Sequence, residues 1–248
     1  MNTLRVQLWS GPRNVSTALM YSFAQRADTR VVDEPLYAHY LRVSGAVHPG
    51  RDEVLRAQDN DGARVVSDVI LGSCKRPVLF VKQMAHHLVE LDRAFLGQTT
   101  NVLLLRDPRE MLPSLVQQIP EPTLRDSAYA MQAELYDELR RMGQDPVVLD
   151  AREVLLDPRS VLTELCTRIG LPFDAAMLHW KPGARREDGV WAPHWYHSVH
   201  ISTGFQPYHA KQGPFPRKLK PLLDQCRPYY ERLQALAIKA PARSGTAT

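Results

Sequence analysis

Five short apolar segments alternate with stretches of helical spacing along the chain, and this alternation restricts the possible folds more than any other feature. Strand-length segments separated by helices are typical of a parallel sheet covered by helices. The sequence therefore predicts an α/β fold: a single domain whose central parallel sheet is flanked by helices. The predicted strands are residues 4–9, 30–32, 77–82, 101–105 and 146–149.

Three segments carry clear helical patterns. Between residues 124 and 142, apolar side chains recur every three or four residues, and Gly143 is placed to end the helix. A second helix is predicted over residues 158–169, where Asp157 can cap the first turn. Residues 216–236 have a helical pattern but contain two prolines, which predicts kinks or two separate pieces.

Other regions lack a regular pattern. We interpret residues 38–76 and 181–216 as loops that carry substrate recognition. Residues 239–248 are small and polar, which is typical of a disordered tail. The predicted domain therefore spans residues 1–238, and a chain of 248 residues suits one large α/β domain.

The charge balance favours an anionic ligand. Lys and Arg number 31 against 27 Asp and Glu, for a formal net charge of +4. The basic residues are scattered and form no recognised nucleic-acid motif, so we expect a small-molecule partner and no nucleic acid. No apolar run is long enough to span a membrane and no signal peptide is recognisable, which predicts a cytoplasmic protein without membrane contact. The oligomeric state stays open.

The first predicted strand runs directly into a tight loop and a helix-like segment, residues 18–26. At such a junction, unpaired N–H groups and the helix dipole attract anions, and Arg13, Ser16 and Thr17 supply further donors. This predicts a P-loop-like phosphate site, with a simple capped helix as the alternative. No Gly-Lys pair precedes Ser16, so the nucleoside triphosphatase motif is absent and an ordinary kinase is disfavoured.

Arg106 follows the fourth predicted strand. Asp107 can cap the next helix, Pro108 suits its first position, and Glu110 is placed to complete a capping box. Ligands of open α/β sheets bind at the carboxyl ends of the strands, so we expect Arg106 to share a crevice with the first loop. The alternative is a surface arginine paired with Glu110 or Asp107.

Together these segments resemble the sulfotransferase superfamily that uses 3′-phosphoadenosine-5′-phosphosulfate, and in particular its small bacterial-type members. Arg106 and Ser114, eight residues apart, are similar to the family's 3′-phosphate site. The family's loop around the 5′-phosphosulfate is matched by Gly11, Pro12, Arg13, Asn14, Val15, Ser16 and Thr17.

The resemblance extends over nearly the whole chain. Residues 147–158 and 170–173 are similar to the family's later strand, helix and closing turn, and residues 188–191 to its C-terminal Gly/Trp loop. By this resemblance Arg185 and Arg186 reach the 3′-phosphate, with a solvated pair of arginines as the alternative. The resemblance also implies that the sulfuryl donor is 3′-phosphoadenosine-5′-phosphosulfate and that no metal is required.

Sulfuryl transfer requires an anion cradle, a cation near the bridging oxygen of the leaving phosphate, and a base for the acceptor's proton. Arg13, Ser16 and Thr17 can fill the first two roles. We therefore expect transfer from the donor to a hydroxyl or amine of a small-molecule acceptor by in-line displacement. The alternatives are an ATP-dependent small-molecule kinase and a nucleotide-binding module without turnover.

The predicted base is Glu34, which follows the second strand at a place where several family members hold a catalytic glutamate. His86 and His87 are the rival candidates, because they follow the third strand near the position of a catalytic histidine in other members, at a shifted spacing. Lys82 at the end of that strand either contacts the sulfate or only ends the strand.

The sequence offers weak signals for a metal. The histidines at positions 194, 197 and 200 are spaced by three, but nearby Pro193 and Gly189 disfavour a continuous metal-binding helix. The three cysteines are far apart and form no C-x-x-C pair, which fits reduced thiols. We therefore expect no bound metal.

Overall fold

The computed structural model describes residues 3–241 and contains one fully parallel sheet with the strand order β2-β3-β1-β4-β5. The predicted strands are all present, each shifted or extended by at most two residues at either end. Their bounds are Leu4–Ser10 (β1), Thr29–Asp33 (β2), Val78–Met84 (β3), Thr100–Leu105 (β4) and Val147–Asp150 (β5). The predicted α/β fold with a parallel sheet is confirmed.

Helices cover both faces of this sheet. Twelve α-helical segments lie within the described chain. They are Ser16–Phe23 (α1), Tyr37–Ser44 (α2), Arg51–Ala57 (α3), Gly62–Arg64 (α4), Pro108–Leu115 (α5), Leu124–Ser127 (α6), Tyr129–Arg141 (α7), Ala151–Leu156 (α8), Pro158–Arg168 (α9), Ala192–Trp195 (α10), His197–His200 (α11) and Lys220–Gln234 (α12). A π-helical turn, Val65–Ile70, follows α4, and 3₁₀ turns span Ala85–His87, Ala94–Gln98, Ala175–Leu178 and Arg217–Leu219.

The central strand β1 separates two hydrophobic layers, because successive side chains of a strand point to opposite faces. Val6 and Leu8 belong to a cluster that includes residues of α1 and α9, whereas Trp9 packs with residues of α7 and α12. Each fully buried side chain of this size contributes about 1.5–3 kcal/mol relative to an exposed one. The two layers hold the carboxyl ends of the strands at one edge.

The prediction of one continuous helix over residues 124–142 is wrong, because the structure has two helices there, α6 and α7. Thr123 and Asp126 form a capping box at the N-terminus of α6, and Ala128 ends this helix after one turn in a left-handed conformation with φ of 65°. The apolar spacing continues across this bend, so the periodicity could not reveal it. Gly143, with φ of 79°, follows α7 as predicted.

Residues 38–76, predicted as a loop, are largely helical. Tyr37, Tyr40 and Leu41 of α2 are buried against one another and Trp191. Gly45 ends α2 and Gly50 precedes α3, both with positive φ. Turn-forming glycines therefore separate short helices here.

The two prolines do not divide the C-terminal helix, because α12 is continuous from Lys220 to Gln234; the prediction of two pieces is wrong, and that of kinks stays a prediction. A 3₁₀ turn precedes α12, which has Pro221 in its first turn and contains Pro228. Residues 239–248 were predicted to form a disordered tail. Within this segment the Ala240 N–H donates to Glu153 Oε2 at 3.0 Å. Residues 242–248 lie outside the described residues. Within residues 3–241, no helix combines the length and apolar character needed to cross a bilayer.

Candidate active site

The loop after β1 closes tightly against two other segments. Asn14 Nδ2 donates to the Leu104 carbonyl oxygen at 3.1 Å, while Asn14 Oδ1 accepts from the Val15 N–H at 2.8 Å. A Cβ atom on Gly11 would lie 2.9 Å from the Ser127 carbonyl oxygen, so only glycine fits there. Arg13 has φ of 55°, a conformation that costs a non-glycine residue on the order of 1–3 kcal/mol and is found mainly at functional sites.

Helix α1 begins at Ser16 without a side-chain cap, because Val15 precedes it. The N–H groups of the first turn have no acceptor within the helix, and the helix dipole adds partial positive charge. Ser16 and Thr17 bring hydroxyl groups to the same turn. This arrangement fits an anion with several oxygen atoms.

Arg13, Arg106 and Ser114 come together, as the sequence predicted. Arg106 Nη1 donates to the Arg13 carbonyl oxygen at 2.7 Å, and Arg13 Nε donates to Ser114 Oγ at 2.9 Å. Burial and the neighbouring Arg106 lower the pKa of Arg13, which is the effect of placing two cations near each other. Two adjacent guanidinium groups favour binding of an anion between or beside them.

Glu110 does not complete the predicted capping box. Asp107 Oδ1 accepts from the Arg109 N–H at 2.8 Å and caps α5 alone. Glu110 Oε1 instead accepts from the Tyr208 hydroxyl at 2.6 Å, and Glu110 Oε2 lies 3.6 Å from Arg106 Nε. The competing contacts with Tyr208 and Arg106 explain why this prediction was wrong.

Lys211 is a cation near this place that the sequence analysis did not single out. Its Nζ donates to the Glu110 carbonyl oxygen at 2.8 Å. Burial, followed by the charges of Arg106 and Arg13, lowers the pKa of Lys211. Because Lys211 lies in a predicted loop with no regular spacing, nothing in its local sequence pointed to Arg106.

Arg185 and Arg186 are not among the residues that line the cavity. The Arg185 guanidinium lies 4.3 Å from the centre of the Tyr21 ring, and its backbone N–H donates to Asp188 Oδ2 at 2.8 Å. The Arg186 side chain is 92% exposed and pairs with Glu187. Lys211 does not line the cavity either, but the charge of Arg106 acts on it.

Lys82 is buried between two carboxylates at the carboxyl ends of β2 and β3. Its Nζ donates to Asp33 Oδ1 at 2.9 Å and also to Glu34 Oε1. The Tyr196 hydroxyl accepts from Lys82 Nζ at 2.6 Å and donates to Asp33 Oδ2 at 2.7 Å. The sequence left two interpretations of Lys82 open, namely contact with the sulfate and simply ending a strand. In the structure Lys82 is a counter-ion for the two carboxylates.

Asp33 and Tyr196 were missed by the sequence analysis. Asp33 Oδ2 accepts from Tyr196 and from the Gly189 N–H at 3.3 Å, and the Trp191 indole N–H donates to the Tyr196 hydroxyl at 3.0 Å. These bonds fasten the segment around α10 to the edge of the sheet. The pair Asp33-Glu34 at the end of β2 was visible in the sequence. The hydrogen bond to Asp33 from Tyr196, more than 160 residues away, was not.

The charge balance of this network affects Glu34. Burial raises the pKa of Glu34, Lys82 counteracts it, and Asp33 raises it further. Burial alone would lower the pKa of Lys82, but Asp33 and Glu34 outweigh it and raise that pKa well above its ordinary value. One ammonium shared by two carboxylates leaves a net negative charge. The Asp33 carboxylate accepts hydrogen bonds from three donors, whereas the Glu34 carboxylate accepts from Lys82 alone among the described residues. A proton added to this network is therefore accommodated best at Glu34.

His86 and His87 lie in a stack of rings beside this network. His87 is sandwiched between Tyr37 and Tyr40, with ring centroids 4.9 Å and 4.8 Å away and interplanar angles of 7° and 24°. His86 meets the Tyr40 ring edge to face at 5.0 Å. Burial, then nearby His48, lowers the pKa of His86 to about 3, and burial lowers that of His87 well below its ordinary value. Both imidazoles are therefore neutral at pH 7.

One cavity of about 310 Å³ joins the two groups of residues. Its lining contains residues of both groups: Gly11, Pro12, Arg13, Asn14, Val15, Ser16, Thr17, Arg106 and Ser114, together with Glu34, Lys82, His86 and His87. Within residues 3–241, no group of three or more His, Cys, Asp or Glu side chains is arranged to hold a metal ion. The cavity thus connects the loop after β1 to the buried titratable groups around Lys82.

The fold is that of solved sulfotransferase structures. The sulfotransferase domain of the Synechococcus PCC 7002 olefin synthase has 18% identity and a TM-score of 0.54, over 90% of this chain and 94% of that domain. A sulfotransferase from Alicyclobacillus acidocaldarius has 15% identity and a TM-score of 0.52, over 95% and 96% of the two chains. At such identities the likeness concerns the fold alone.

The sulfotransferase domain family model matches residues 4–237. This chain belongs to that family, which confirms the predicted resemblance. Branched-chain-amino-acid aminotransferase-like protein 1 of Arabidopsis thaliana is 41% identical over 231 residues, which make up 93% of this chain and 41% of that protein. The chain thus spans about two fifths of the length of the curated relatives it matches.

Proposed function

We propose that this protein transfers a sulfuryl group from 3′-phosphoadenosine-5′-phosphosulfate to a hydroxyl or amine of a small-molecule acceptor. The observation that carries the proposal is the shared cavity, which is lined by both the Arg13 loop and Glu34. Transfer needs both an anion cradle and a base within reach of one reacting centre. The membership in the sulfotransferase family supports the same reaction.

The donor carries two separated anionic groups. In this proposal its 5′-phosphosulfate binds at the N-terminus of α1, where Ser16 and Thr17 add hydroxyl donors. The 3′-phosphate binds Arg106 and Ser114, with Lys211 as a further cation. Charge-assisted hydrogen bonds of this kind contribute about 1.5–3 kcal/mol each. A ligand with only one phosphate would leave one of the two groups unused.

In the transfer step the acceptor oxygen or nitrogen attacks sulfur while the bond from sulfur to the bridging phosphate oxygen breaks. Negative charge grows on the leaving adenosine 3′,5′-bisphosphate, where Arg13 and the α1 N-terminus stabilise it. The acceptor proton passes to a base of the protein. No further reactant is needed, because the leaving phosphate takes the electron pair of the broken bond.

We assign the base to Glu34. Its carboxylate lines the cavity, and burial raises its pKa, so it holds a proton more firmly than an ordinary glutamate. The pKa of His86 is lowered to about 3, which makes this imidazole the weaker base of the two. His87 is packed between two tyrosine rings, and its pKa is also lowered.

The test combines turnover with ligand binding. The full chain is incubated with 3′-phosphoadenosine-5′-phosphosulfate and a panel of alcohols, phenols and amines, and products are screened by mass spectrometry for the gain of one SO₃ group. Calorimetry compares adenosine 3′,5′-bisphosphate with adenosine 5′-phosphate.

We expect a sulfated product and tighter binding of the bisphosphate. Phosphorylated products formed from ATP and magnesium, without competition by the bisphosphate, would instead identify a kinase. Bisphosphate binding without turnover on a broad panel would identify a nucleotide-binding module.

A further inference from the structure

We infer that the first turn of α7 positions the donor site, with Tyr129 holding Arg106 and Gln132 holding the loop after β1. The inference rests on the proposed sulfuryl transfer and adds two positioning residues that act through their neighbours. Neither of them lines the cavity. Tyr129 and Gln132 are three positions apart on α7, so their side chains lie on the same face of this helix.

Tyr129 acts on the backbone of Arg106. Its hydroxyl donates to the Arg106 carbonyl oxygen at 2.6 Å. Arg106 comes directly after β4, and the register of β4 with β5 ends at Leu105, so beyond this point the sheet no longer fixes the backbone. Tyr129 is buried among apolar side chains of α5 and α12, which hold its ring in place. A buried hydroxyl of another helix therefore fixes the backbone from which the Arg106 guanidinium extends.

Gln132 acts on the strands that lead into the loop. Its Nε2 donates to the Leu104 carbonyl oxygen at 2.9 Å and to the Trp9 carbonyl oxygen at 3.3 Å. The Leu104 carbonyl oxygen also accepts from Asn14 Nδ2, which belongs to the loop itself. Because Gln132 is 1% exposed, bulk water does not compete for these bonds. Gln132 thus fastens β1 to β4 directly beside the point where the loop begins.

The bend before α7 packs directly against the same loop. A Cβ atom on Gly11 would lie 2.9 Å from the Ser127 carbonyl oxygen and 3.7 Å from Ala128 Cβ. Ala128 has φ of 65°, a conformation that is unfavourable for a non-glycine residue and persists only where the surrounding structure fixes it. The strained residue of this region is therefore found where α7 begins and meets the donor-binding loop, as expected for a junction that positions a site.

These contacts contribute to donor binding by preorganisation. A guanidinium or loop that is already held in its binding position does not have to be ordered by the ligand, so affinity rises without a new contact to the ligand. Tyr129 acts at Arg106, so its contribution should be confined mainly to ligands that carry a 3′-phosphate. Gln132 acts on the loop after β1, so its contribution should extend to every ligand with a 5′-phosphate.

The experiment measures the affinities of adenosine 3′,5′-bisphosphate and adenosine 5′-phosphate by calorimetry. Tyr129→Phe keeps the ring and should weaken bisphosphate binding by about three- to tenfold, the scale of one neutral hydrogen bond, with 5′-phosphate binding nearly unchanged. Gln132→Met keeps the length of the side chain and should weaken binding of both nucleotides by a similar factor. An equal loss for both nucleotides in Tyr129→Phe would make its hydroxyl a general support of the fold and overturn the inference.

Tyr136→Phe and Gln144→Met are the matched controls, because they remove the same groups elsewhere. Tyr136 lies on α7, and Gln144 Nε2 donates to the Leu96 carbonyl oxygen at 2.6 Å. Neither residue lines the cavity. Both variants should bind the two nucleotides as the wild type does. Losses as large as those in Tyr129→Phe and Gln132→Met would show that the effect is not specific to the first turn of α7, and would overturn the inference.

A double-mutant cycle tests whether Tyr129 acts through Arg106. In an Arg106→Ala background, Tyr129→Phe should have no further effect on bisphosphate affinity, because the guanidinium that it positions is absent. The same loss of about three- to tenfold in that background would show that the hydroxyl acts independently of Arg106, and the positioning role would be wrong.

The outcomes separate this inference from the proposed function. If the wild type prefers the bisphosphate but Tyr129→Phe and Gln132→Met keep its affinity, the donor site stands and the positioning roles are wrong. If the wild type binds neither nucleotide and sulfates no acceptor, the proposed sulfuryl transfer is wrong, and the inference fails with it.

Discussion

The Nε atom of Arg13 donates a hydrogen bond to the Oγ atom of Ser114 at 2.9 Å, across 101 positions of sequence. The Arg13 carbonyl oxygen in turn accepts from Arg106 at 2.7 Å. The loop after β1 and the first helix after β4 are therefore tied together by the side chains proposed to bind the two ends of the donor.

Arg106→Ala should weaken binding of adenosine 3′,5′-bisphosphate by about 1.5–3 kcal/mol, because it removes a charge-assisted contact to the 3′-phosphate. Adenosine 5′-phosphate, which lacks that group, should lose much less. Calorimetry with both nucleotides on both proteins measures the difference. An equal loss for the two would mean that Arg106 acts only by holding the Arg13 loop, and its assignment to the 3′-phosphate would be wrong.

Arg13→Ala should lower kcat by roughly 10² to 10³ and change nucleotide affinity less, because Arg13 is proposed to stabilise charge that appears during transfer. Steady-state kinetics with a fixed acceptor separate the two effects. Ser114→Ala is the control, since it removes the partner of Arg13 Nε but leaves the cation. A rise in KM for the donor at unchanged kcat would assign Arg13 to ground-state binding alone.

The strands and the tight loop after β1 could be predicted because their signals are local. Each strand is a short apolar run, and Gly11 to Thr17 lie next to one another in the chain. The bend at Ala128 could not be predicted, because the apolar spacing runs through it unchanged. It depends on the left-handed backbone conformation of Ala128, which a periodicity argument does not detect.

Arg106 and Glu34 could be selected as candidate site residues because a charged residue at the end of a predicted strand is a signal that the local sequence carries. The partners that set the properties of these residues come from distant segments. Lys211 reaches Glu110 across 101 positions, and Tyr196 reaches Asp33 across 163. Such contacts depend on how the region after residue 181 folds back over the sheet, and no local pattern encodes that path.

Glu34→Gln should lower kcat by about 10² to 10⁴, the usual contribution of a general base, while the bisphosphate binds with nearly normal affinity. The amide keeps the size of the side chain and removes its ability to take a proton. His86→Ala and His87→Ala are the companion variants. Normal turnover in Glu34→Gln together with a large loss in one histidine variant, with the bisphosphate still bound, would transfer the role of base to that histidine.

Asp33→Asn should shift the acidic limb of the kcat profile to lower pH. Burial and the Asp33 charge both raise the pKa of Glu34, so the wild-type enzyme should lose activity on acidification at a higher pH than an ordinary glutamate, near 4.3, would give. With Asp33 neutral, Lys82 acts on Glu34 alone and lowers its pKa. Tyr37, Tyr196 and His87 also surround this network, and the substitution leaves them in place.

Tyr196→Phe is the matched control for this shift, because it breaks a hydrogen bond to Asp33 and Lys82 without removing a formal charge. It should move the acidic limb much less than Asp33→Asn does. If the two variants lose activity equally with no change in the pH profile, the network only supports the local structure.

The neutral histidines predict how the stability of the fold depends on pH. The pKa of His86 is lowered to about 3 and that of His87 is also well below its ordinary value, whereas in the unfolded chain both titrate near 6.5. Below about pH 6.5 the unfolded state therefore binds more protons than the folded state, and the free energy of unfolding falls as the pH decreases toward 3. Each such histidine contributes a slope of up to about 1.4 kcal/mol per pH unit in that window, and nothing above it.

His87→Phe should make this slope shallower, because phenylalanine keeps a ring between Tyr37 and Tyr40 but cannot take a proton. Urea unfolding of the wild type and the variant between pH 4 and pH 7.5 measures the difference directly. His209→Phe, at an exposed position, controls for the loss of a histidine elsewhere in the chain. The unfolding free energy of the variant relative to the wild type should rise on acidification below about pH 6.5 and be constant above it. A constant difference over the whole range would mean that His87 is protonated to the same extent in the folded and unfolded states, contrary to its burial between two rings.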